Sequence, residues 1–588
     1  MVEGDDFIKE SANKVGTGIA ATMAIKPDAP GVQPGDRQKI KITNIPNPDL
    51  QAVLVDFDSR NEETHLDREL ERRVKKKKIC RHEGKWGVKE ARNFYREHGH
   101  FPYVKIYRGT DTGNDAQNGR LITRDLGNRG LDILYPLVNF GPETRVPDQV
   151  FLVSSFSGGT GSGYVTEIKE DVHRLRHGEN RINIRRDATA DFGITEIAAL
   201  PEGYQIGEGQ QKANQNYLTN AAYTLIKRLI DHAKDGKGNF LAAVDQLILF
   251  SNKVIEDAIK RKHKKNKYKE HGEDIDTLGE VYRKSNEKIM SFMRTAADAF
   301  KEEPVYGKSN LTPQEFFNTR GIGWLGHAES PIHKAEHEKE LDTEEILKRT
   351  MKESLLPSED GVCGMSVNIE REGKDPEEER REYKKYVDRC FDHVEKTGEK
   401  LQISDFDEVL WEYRAKYVTM IIQIDCDEIS DNVRARIEQI VGSVFQNNPL
   451  RAIYYSKPSR RGDKEKVKVT TIATKTPMRE MYNIILLGLK HMCGNDFNDK
   501  EFLSYVLGRE GADKNKIFNF NKEDEEDERE PRVVGYVSEK AKFDKKFQAS
   551  LSMSRNKDIC LTDVEVLEVA GILRDLLRED RVKVEEFF

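Results

Sequence analysis

A glycine-rich segment directly after a short apolar run limits the fold of this chain more than any other feature of its sequence. The apolar residues 150–153 precede SSFSGGTGSGYV at positions 154–165. Apolar runs of this length, bounded by turn residues, are typical of strands buried on both faces of a parallel sheet. Glycines let a backbone come close to an anion, and a helix N-terminus directs free N–H groups at it. The pattern therefore predicts a buried strand, a phosphate-binding loop and a helix that begins near Tyr164.

The segment differs from two common nucleotide-binding motifs. A P-loop has a lysine directly after its last glycine, and tyrosine follows Gly163 here. The GxGxxG motif with an acidic residue on a second strand is not present either, which disfavours a dinucleotide-dependent enzyme. A flexible turn is the simplest alternative to a phosphate loop, and it stays open on these residues alone.

Strand-like and helical patterns alternate along the chain, which predicts an α/β fold. The first α/β region contains apolar runs at 51–57, 149–155 and 245–251 and helical patterns at 121–138 and 214–233. A long helical pattern at 276–300 places five apolar residues on one face, namely Leu278, Val281, Ile289, Phe292 and Met293. Strand-like segments of a second α/β region lie at 364–370, 417–425, 451–456 and 466–474, and a final helix is predicted at 561–580.

These patterns divide the chain into four parts. They are a first domain (1–257), a charged insertion with a central helix (258–308), a second α/β domain with a charged insertion at 370–412 (309–478), and a C-terminal extension that we expect to be helical (479–588).

The composition is typical of a protein that folds in water. Charged residues make up 34% of the 588 residues, above the usual quarter, and the net charge is −7. No apolar run approaches the roughly 20 residues of a membrane span, and the first residues lack the apolar core of a signal peptide. The six cysteines are scattered without a CxxC pair. We therefore expect a soluble, cytoplasmic protein.

Two basic runs, 72–78 and 259–268, raise the question of an anionic partner. Lysine and arginine clusters bind DNA or an anionic membrane through phosphates. Acidic runs lie elsewhere in this charge-rich chain, so solvated surfaces are the simpler interpretation. A DNA, membrane or adaptor contact stays open as the alternative.

The glycine segment resembles the signature loop Gly-Gly-Gly-Thr-Gly-Ser/Thr-Gly of the tubulin/FtsZ superfamily. Its match here is SFSGGTGSG at 155–163, with Ser157 in place of the first glycine. Other segments that resemble the family lie along the chain, before and after the glycine segment, in the order that the family requires. They are AVLVDFD (52–58), TGNDAQNGR (112–120), GEGQQKAN (207–214), FSNKVI (250–255), YRKSN (282–286) and NLTPQEFFNTRGIGWLGHAES (310–330). The resemblance covers roughly residues 12–478.

This resemblance implies a tubulin/FtsZ-like fold, in which a Rossmann-type GTP-binding domain, a long central helix and a second, GTPase-activating domain follow one another. It implies GTP or GDP as ligand and Mg²⁺ as metal, with Asp58 as the candidate metal ligand through a water molecule. The residues that match nucleotide-binding positions are Gly16, Gly18, Asp56, Asp58, Gly113, Asn114, Ser157, Gly158, Gly159, Thr160, Gly161, Ser162, Gly163, Glu208, Lys212, Asn252, Tyr282 and Asn286.

Three of these residues would bind the base. Tyr282 and Asn286 are four residues apart, so they share one face of a helix. In the family, this pair stacks on the guanine and hydrogen-bonds its edge, and Asn252 comes from the preceding strand end. The residue types themselves leave adenine open as an alternative to guanine.

A loop of the second domain would complete the active site. In the family it reaches into the nucleotide pocket of the next subunit, and Asn310 and Glu315 match its first and last positions. Hydrolysis needs a group that polarises the attacking water, and a hydroxyl such as that of Thr312 does not accept a proton at neutral pH. We therefore assign water activation to Glu315, with Asn310 as a helper that faces the phosphates or the subunit interface. Head-to-tail contact would build such a divided site, which predicts a self-assembling filament.

Two departures from the family favour a second hypothesis. Thr312 stands where the middle aspartate of the catalytic loop is usual. The residues before Gly16 and Gly18 are polar, so the first strand is degenerate or lost, and a helix-like run follows these glycines. The alternative is a tubulin-fold scaffold that hydrolyses no nucleotide and binds a partner through its insertions and C-terminal extension.

Overall fold

A computed structural model of the chain describes the following residues, some of them by their backbone alone: 20–25, 50–58, 80–82, 102–108, 112, 115–125, 149–176, 193–201, 211–233, 244–252, 255, 284–285, 287–289, 291–293, 295–296, 321–331, 350, 362–363, 417–425, 434–435, 450–458, 466–474, 479–509, 511–519 and 531–578.

Strands and helices alternate through these residues. The strands are β1 (Ala20–Ile25), β2 (Leu50–Asp58), β3 (Cys80–His82), β4 (Pro102–Arg108), β5 (Gln149–Ser155), β6 (Gly193–Leu200), β7 (Gln246–Ser251), β8 (Gly321–Pro331), β9 (Val362–Cys363), β10 (Tyr417–Gln423), β11 (Leu450–Ser456), β12 (Lys466–Thr474), β13 (Val533–Gly535) and β14 (Leu561–Thr562). The α-helices are α1 (Ala116–Asp125), α2 (Gly159–Arg176), α3 (Gln211–Asp231), α4 (Arg479–Cys493), α5 (Asp499–Val506), α6 (Glu539–Phe543), α7 (Lys545–Ser552) and α8 (Asp563–Arg578). The described residues between 284 and 296 are also helical.

Twelve of the described strands form one sheet, in the order β11-β10-β12-β8-β7-β6-β5-β1-β2-β4-β3, with β9 beside β8. Parallel pairing joins β5 to β6, β6 to β7 and β2 to β4. Strand β1 is antiparallel to both of its neighbours, β2 and β5. Consequently β2, β4, β5, β6 and β7 all run in the same direction, and their carboxyl ends share one edge of the sheet.

Strand β1 corrects two expectations from the sequence. The run after Gly18 is a strand and not a helix. Its antiparallel pairing with β2 and β5 departs from the parallel sheet that was predicted, although the other pairs from β3 through β8 are parallel, as expected. The alanine-rich sequence AATMAI favours a helix by propensity alone. Pairing with a strand on each side overrides that weak local preference.

The strand predictions in the second α/β region agree with the structure where it is described. Strand β12 has the predicted bounds, and β10 and β11 lie within one or two residues of theirs. The central helical segment buries Ile289, Phe292 and Met293, as its pattern predicts. The predicted strand at 364–370 lies outside the described residues.

The C-terminal extension packs on the first α/β region. Helices α4 and α8 both contact α3. Gly488 of α4 faces Ala222 of α3 so closely that a Cβ on Gly488 would lie 2.1 Å from the Ala222 Cβ. Buried residues of α4, α8 and α3 belong to one hydrophobic core. The extension therefore forms part of the folded body.

Candidate functional site

The carboxyl ends of five strands share one edge of the sheet, which is where α/β proteins commonly bind ligands. Strand β2 ends at Asp58, β4 at Arg108, β5 at Ser155, β6 at Leu200 and β7 at Ser251. The segments TGNDAQNGR, SFSGGTGSG and FSNKVI begin within four residues of the ends of β4, β5 and β7. The topology thus brings the backbones of the predicted site segments to the same edge.

Helix α2 begins inside the glycine segment. Its first residue is Gly159, and the Ser162 N–H donates to the Gly158 carbonyl at 3.2 Å. The prediction of a start near Tyr164 is therefore wrong by five residues. It followed from the low helix propensity of glycine, which a close contact with α1 outweighs. Only residues 156–158 form the turn after β5.

Two of the glycines pack against helix α1. A Cβ on Gly159 would lie 2.6 Å from both the Asp115 amide nitrogen and Thr112 Oγ1. A Cβ on Gly163, one helical turn later, would lie 2.6 Å from the Gly119 backbone. Real Cβ atoms essentially never approach other atoms below 3.0 Å. Glycine at these two positions therefore lets α1 and α2 touch backbone to backbone and sets their first turns side by side.

The first turns of α1 and α2 differ in which groups accept hydrogen bonds from their free backbone N–H groups. Asp115 caps α1, since its Oδ1 accepts a hydrogen bond from the Asn118 N–H at 3.0 Å. Helix α2 has glycine at the cap position and no acidic residue in its first turn. The N–H groups of residues 159–161 precede the first helical hydrogen bond of α2, and the helix dipole adds positive potential there. Of the two helices, α2 is therefore the one that offers its N-terminus to an external anion.

Buried hydroxyl groups lie at the same turn. Ser157 is buried, and its Oγ has no hydrogen-bond partner within the described part of the chain. Leaving such a group without a partner costs about 1–3 kcal/mol, which a ligand oxygen would offset. The Ser162 hydroxyl instead donates to the Gly158 carbonyl, so its proton is engaged inside the helix. Thr160 is buried as well.

A buried amide connects the first turns of the two helices. Asn220 of α3 is 0% exposed; its Nδ2 donates to the Ser157 carbonyl at 2.7 Å, and its Oδ1 accepts from the Ala116 N–H at 2.8 Å. Sequence reasoning missed Asn220 because polar residues within a helical pattern usually face solvent. Its neighbours one turn later on the same face, Tyr223 and Thr224, are buried as well, and no local pattern in the sequence marks that face as buried.

Asn252 lies at the carboxyl end of β7, as predicted. Its side chain is 3% exposed, and its Oδ1 accepts a hydrogen bond from Ser285 Oγ at 2.6 Å. Ser285 belongs to the central helical segment and directly precedes Asn286. The structure therefore brings the predicted base-binding asparagine beside the segment that carries Tyr282 and Asn286, although those two residues lie outside the described part.

The C-terminal extension covers α1 and α3 next to these turns. The Val537 N–H donates to Gln117 Oε1 at 3.1 Å, and the Val537 carbonyl accepts from Thr219 Oγ1 at 2.9 Å. Gln117 and Thr219 are the chain neighbours of the Ala116–Asn220 pair. Burial raises the pKa of Asp115, and hydrogen bonds from Asn118 and Ser538 offset part of that rise. The extension thus reaches the capping residue of α1.

A buried lysine of α3 anchors the segment before α8. Lys227 Nζ donates to the Asp558 carbonyl at 2.9 Å and the Cys560 carbonyl at 2.7 Å, and it pairs with the Glu565 carboxylate. Burial lowers the pKa of Lys227 below its usual value, and the nearby Glu565 carboxylate offsets part of this decrease. All three protons of the ammonium group therefore have acceptors, which is the condition for burying such a group.

Two arginines of α1 join the extension to α2. Arg124 binds the Asp558 carboxylate through Nη1 at 2.6 Å and Nη2 at 2.8 Å. Arg120 and Arg124 both form ion pairs with Glu167 of α2, at 2.7 and 2.9 Å. Charge-assisted bonds of this kind are stronger than neutral ones. Helix α1 is therefore held between α2 and the extension.

The remaining predicted site residues are placed by backbone alone or lie outside the described part. Asp56 and Asp58 end strand β2, and Lys212 lies in the first turn of α3. Outside the described residues are Gly16, Gly18, Gly113, Asn114, Glu208, Tyr282, Asn286, Asn310, Thr312 and Glu315. Their roles stay predictions.

In the described ranges no group of three His, Cys, Asp or Glu side chains could hold a metal ion, and no helix there is long and apolar enough to cross a membrane.

The chain resembles solved structures of CetZ, FtsZ and TubZ at low sequence identity. A protofilament of CetZ2 from Haloferax volcanii with GTPγS bound is 12% identical, with a TM-score of 0.38, over 67% of this chain and 91% of that chain. An FtsZ dimer from M. jannaschii is 10% identical, with a TM-score of 0.35, over 70% and 92%. A GTPγS-form protofilament of TubZ from Bacillus thuringiensis serovar israelensis is 12% identical, with a TM-score of 0.36, over 63% and 75%. No protein-family model and no curated protein sequence matches the chain.

Proposed function

We propose that the chain is a divergent tubulin/FtsZ-like protein that binds GTP at the carboxyl edge of its sheet and hydrolyses it when subunits assemble head to tail. The first turn of α2 carries this proposal. It presents the N–H groups of residues 159–161 under a glycine cap, beside the buried Ser157 hydroxyl that has no partner among the described residues. The adjacent α1 terminus is satisfied by the protein's own Asp115. An anion therefore fits at α2.

The phosphates would lie against the glycine segment. The backbone N–H groups of residues 158–161 donate to phosphate oxygens, and the hydroxyls of Ser157 and Thr160 add donors, with Ser162 stabilising the turn from inside. Gly113 and Asn114 follow β4 in the sequence, and Gly16 and Gly18 precede β1; we propose that these four residues also contact the phosphates. Glu208 and Lys212 would flank the ribose and the phosphates.

Asp56 and Asp58, near the end of β2, would supply carboxylates of the kind that Mg²⁺ prefers. Asp58 would hold the ion through a water molecule. When bound, Mg²⁺ neutralises the charge that develops on the phosphate oxygens.

The base would lie near the carboxyl end of β7. The Ser285 hydroxyl fixes the amide of Asn252, so that this side chain is oriented before a ligand arrives. Tyr282 and Asn286 would add a stacking face and a second amide. Amide side chains can hydrogen-bond the edge of guanine. The ratio of GTP to ATP affinity measures whether the site prefers guanine to adenine.

Hydrolysis would need a second subunit. Glu315 accepts or orients the proton of the attacking water, and Asn310 positions the water or the phosphate. Because these residues lie in the second domain, the next subunit would bring them to the phosphates of the first. An open head-to-tail contact of this type generates a filament. We place the filament in the cytoplasm, where an adaptor, DNA or a membrane would meet it through the basic runs or the C-terminal extension.

GTP turnover measured against protein concentration, with light scattering in parallel, tests this function. We expect turnover per subunit to rise above a critical concentration, together with scattering. Glu315→Ala should assemble without hydrolysing, whereas the control Gln314→Ala, at the neighbouring polar residue, should retain both activities. Negligible turnover with no GTP-dependent scattering would instead favour the non-hydrolysing scaffold, for which Thr312 is the supporting observation.

A further inference from the structure

The fully buried Asn220 amide joins the two backbone segments that meet at the start of α2. From its two hydrogen bonds we infer that Asn220 is a positioning residue, which fixes the phosphate-facing backbone without touching the nucleotide. This inference rests on the proposed nucleotide site. It adds that a residue of α3 fixes the backbone conformation of the glycine turn.

The first bond sets the direction of one peptide group. Asn220 Nδ2 holds the Ser157 carbonyl at 2.7 Å. A trans peptide is planar, so the Gly158 N–H points away from the carbonyl of Ser157. The contact therefore turns the Gly158 N–H away from α3. Glycine allows backbone conformations that other residues avoid, so this peptide group would otherwise reorient easily.

The second bond holds helix α1 in place. Asn220 Oδ1 accepts from the Ala116 N–H at 2.8 Å, which is one of the amides that a helix start leaves unsatisfied. Asp115, directly before it, lies against Gly159 of α2. The same amide thus sets the Gly158 peptide and the neighbouring helix start relative to each other.

The amide of Asn220 supplies the donor and the acceptor that the two bonds require. An ionised aspartate has acceptors and no donor. Asn220→Asp therefore keeps the shape and the bond to Ala116, but it places a carboxylate against the Ser157 carbonyl. Asn220→Ala loses both bonds. Thr224→Ala is the matched control, because Thr224 is buried on the same helix, and its hydroxyl donates to the Asn220 backbone carbonyl at 2.8 Å without contacting the Asn220 side-chain amide in the part of the chain that the structure describes.

The test is equilibrium binding of GTP and of guanosine, which has no phosphate, to the full-length wild type and the three variants. We expect GTP to bind about tenfold more weakly to Asn220→Asp and Asn220→Ala, a change of about 1.4 kcal/mol. Guanosine affinity should stay the same, and Thr224→Ala should bind both ligands like the wild type. This difference between ligands is a result that general destabilisation would not produce.

Each other outcome has a defined meaning. A wild type that binds no GTP overturns the proposed function and this inference together. A wild type that binds GTP, with Asn220 variants of equal affinity, overturns the inference alone, and so does an equal loss of GTP and guanosine affinity.

Hydrogen exchange on the wild type keeps the inference testable if the variants do not fold. We expect the Ala116 amide to be protected without nucleotide and the Gly158 amide to become protected only when GTP is added. Fast exchange of Ala116 in the folded protein would overturn the inference.

Discussion

Replacing Gly163 by alanine tests the contact between α1 and α2 that organises the site. The new Cβ would lie 2.6 Å from the Gly119 backbone, where ordinary contact begins at 3.4 Å. Backbone atoms cannot rotate aside as a side chain can, so the two helices must separate. Alanine gains about 1 kcal/mol over glycine in a helix, while overpacking costs up to about 3 kcal/mol. We therefore expect a net loss of about 2 kcal/mol.

Thermal denaturation measures that loss. A domain of 150–250 residues loses about 2–4 °C in melting temperature per kcal/mol, so Gly163→Ala should melt about 4–8 °C lower in the transition of the first domain. Gly571→Ala is the matched control, because Gly571 lies within α8 with no atom near its would-be Cβ. That variant should gain about 1 kcal/mol from helix propensity. A Gly163→Ala protein that melts at or above the wild-type temperature would refute the backbone contact.

Three further predictions concern the packing around the site. Gly488→Ala should loosen the extension, because its Cβ would overlap that of Ala222; limited proteolysis should cut 531–578 faster, and adding Ala222→Gly should restore resistance. Arg228→Met should destabilise the fold by about 3–5 kcal/mol, because it removes the ion-pair partner of Glu196, and both side chains are 0% exposed. Adding Glu196→Leu should recover most of this loss, as measured by thermal denaturation. Burial raises the pKa of Asp558, but the hydrogen bonds and charges of the α1 arginines lower it more, to a net value below 3.8. The ionised Asp558 carboxylate therefore stabilises the fold above pH 3.8, and this stabilisation is lost as the pH falls through its lower pKa in the folded state. The difference in melting temperature between the wild type and Asp558→Asn should be constant above pH 3.8 and shrink below it.

The sequence predicts the elements that depend on local pattern. Strand β12 matches its apolar pattern residue for residue, and the glycine turn follows a buried strand as expected. The helix start at Gly159 was not predictable in the same way. Its cause is contact with Gly119, a residue 40 positions earlier, and helix propensity contains no information on such contacts.

Residues whose role depends on tertiary contact were missed for the same reason. Asn220 is one polar residue in a helical pattern, and only the fold shows that Ser157 and Ala116 meet its side chain. The C-terminal extension shows no motif that announces a partner, yet Val537 and Lys227 tie it to α1 and α3. Local patterns therefore locate the glycine turn, while the residues that hold it in shape become visible only in the folded chain.

Equilibrium titration of the full-length protein with GTP in the presence of Mg²⁺, with guanosine as competitor, would show whether the N-terminus of α2 binds phosphate. We expect saturable GTP binding that guanosine displaces only weakly, because guanosine lacks the groups that the turn at residues 157–161 would hold. No saturable binding of GTP, or guanosine that competes as well as GTP itself, would contradict this expectation.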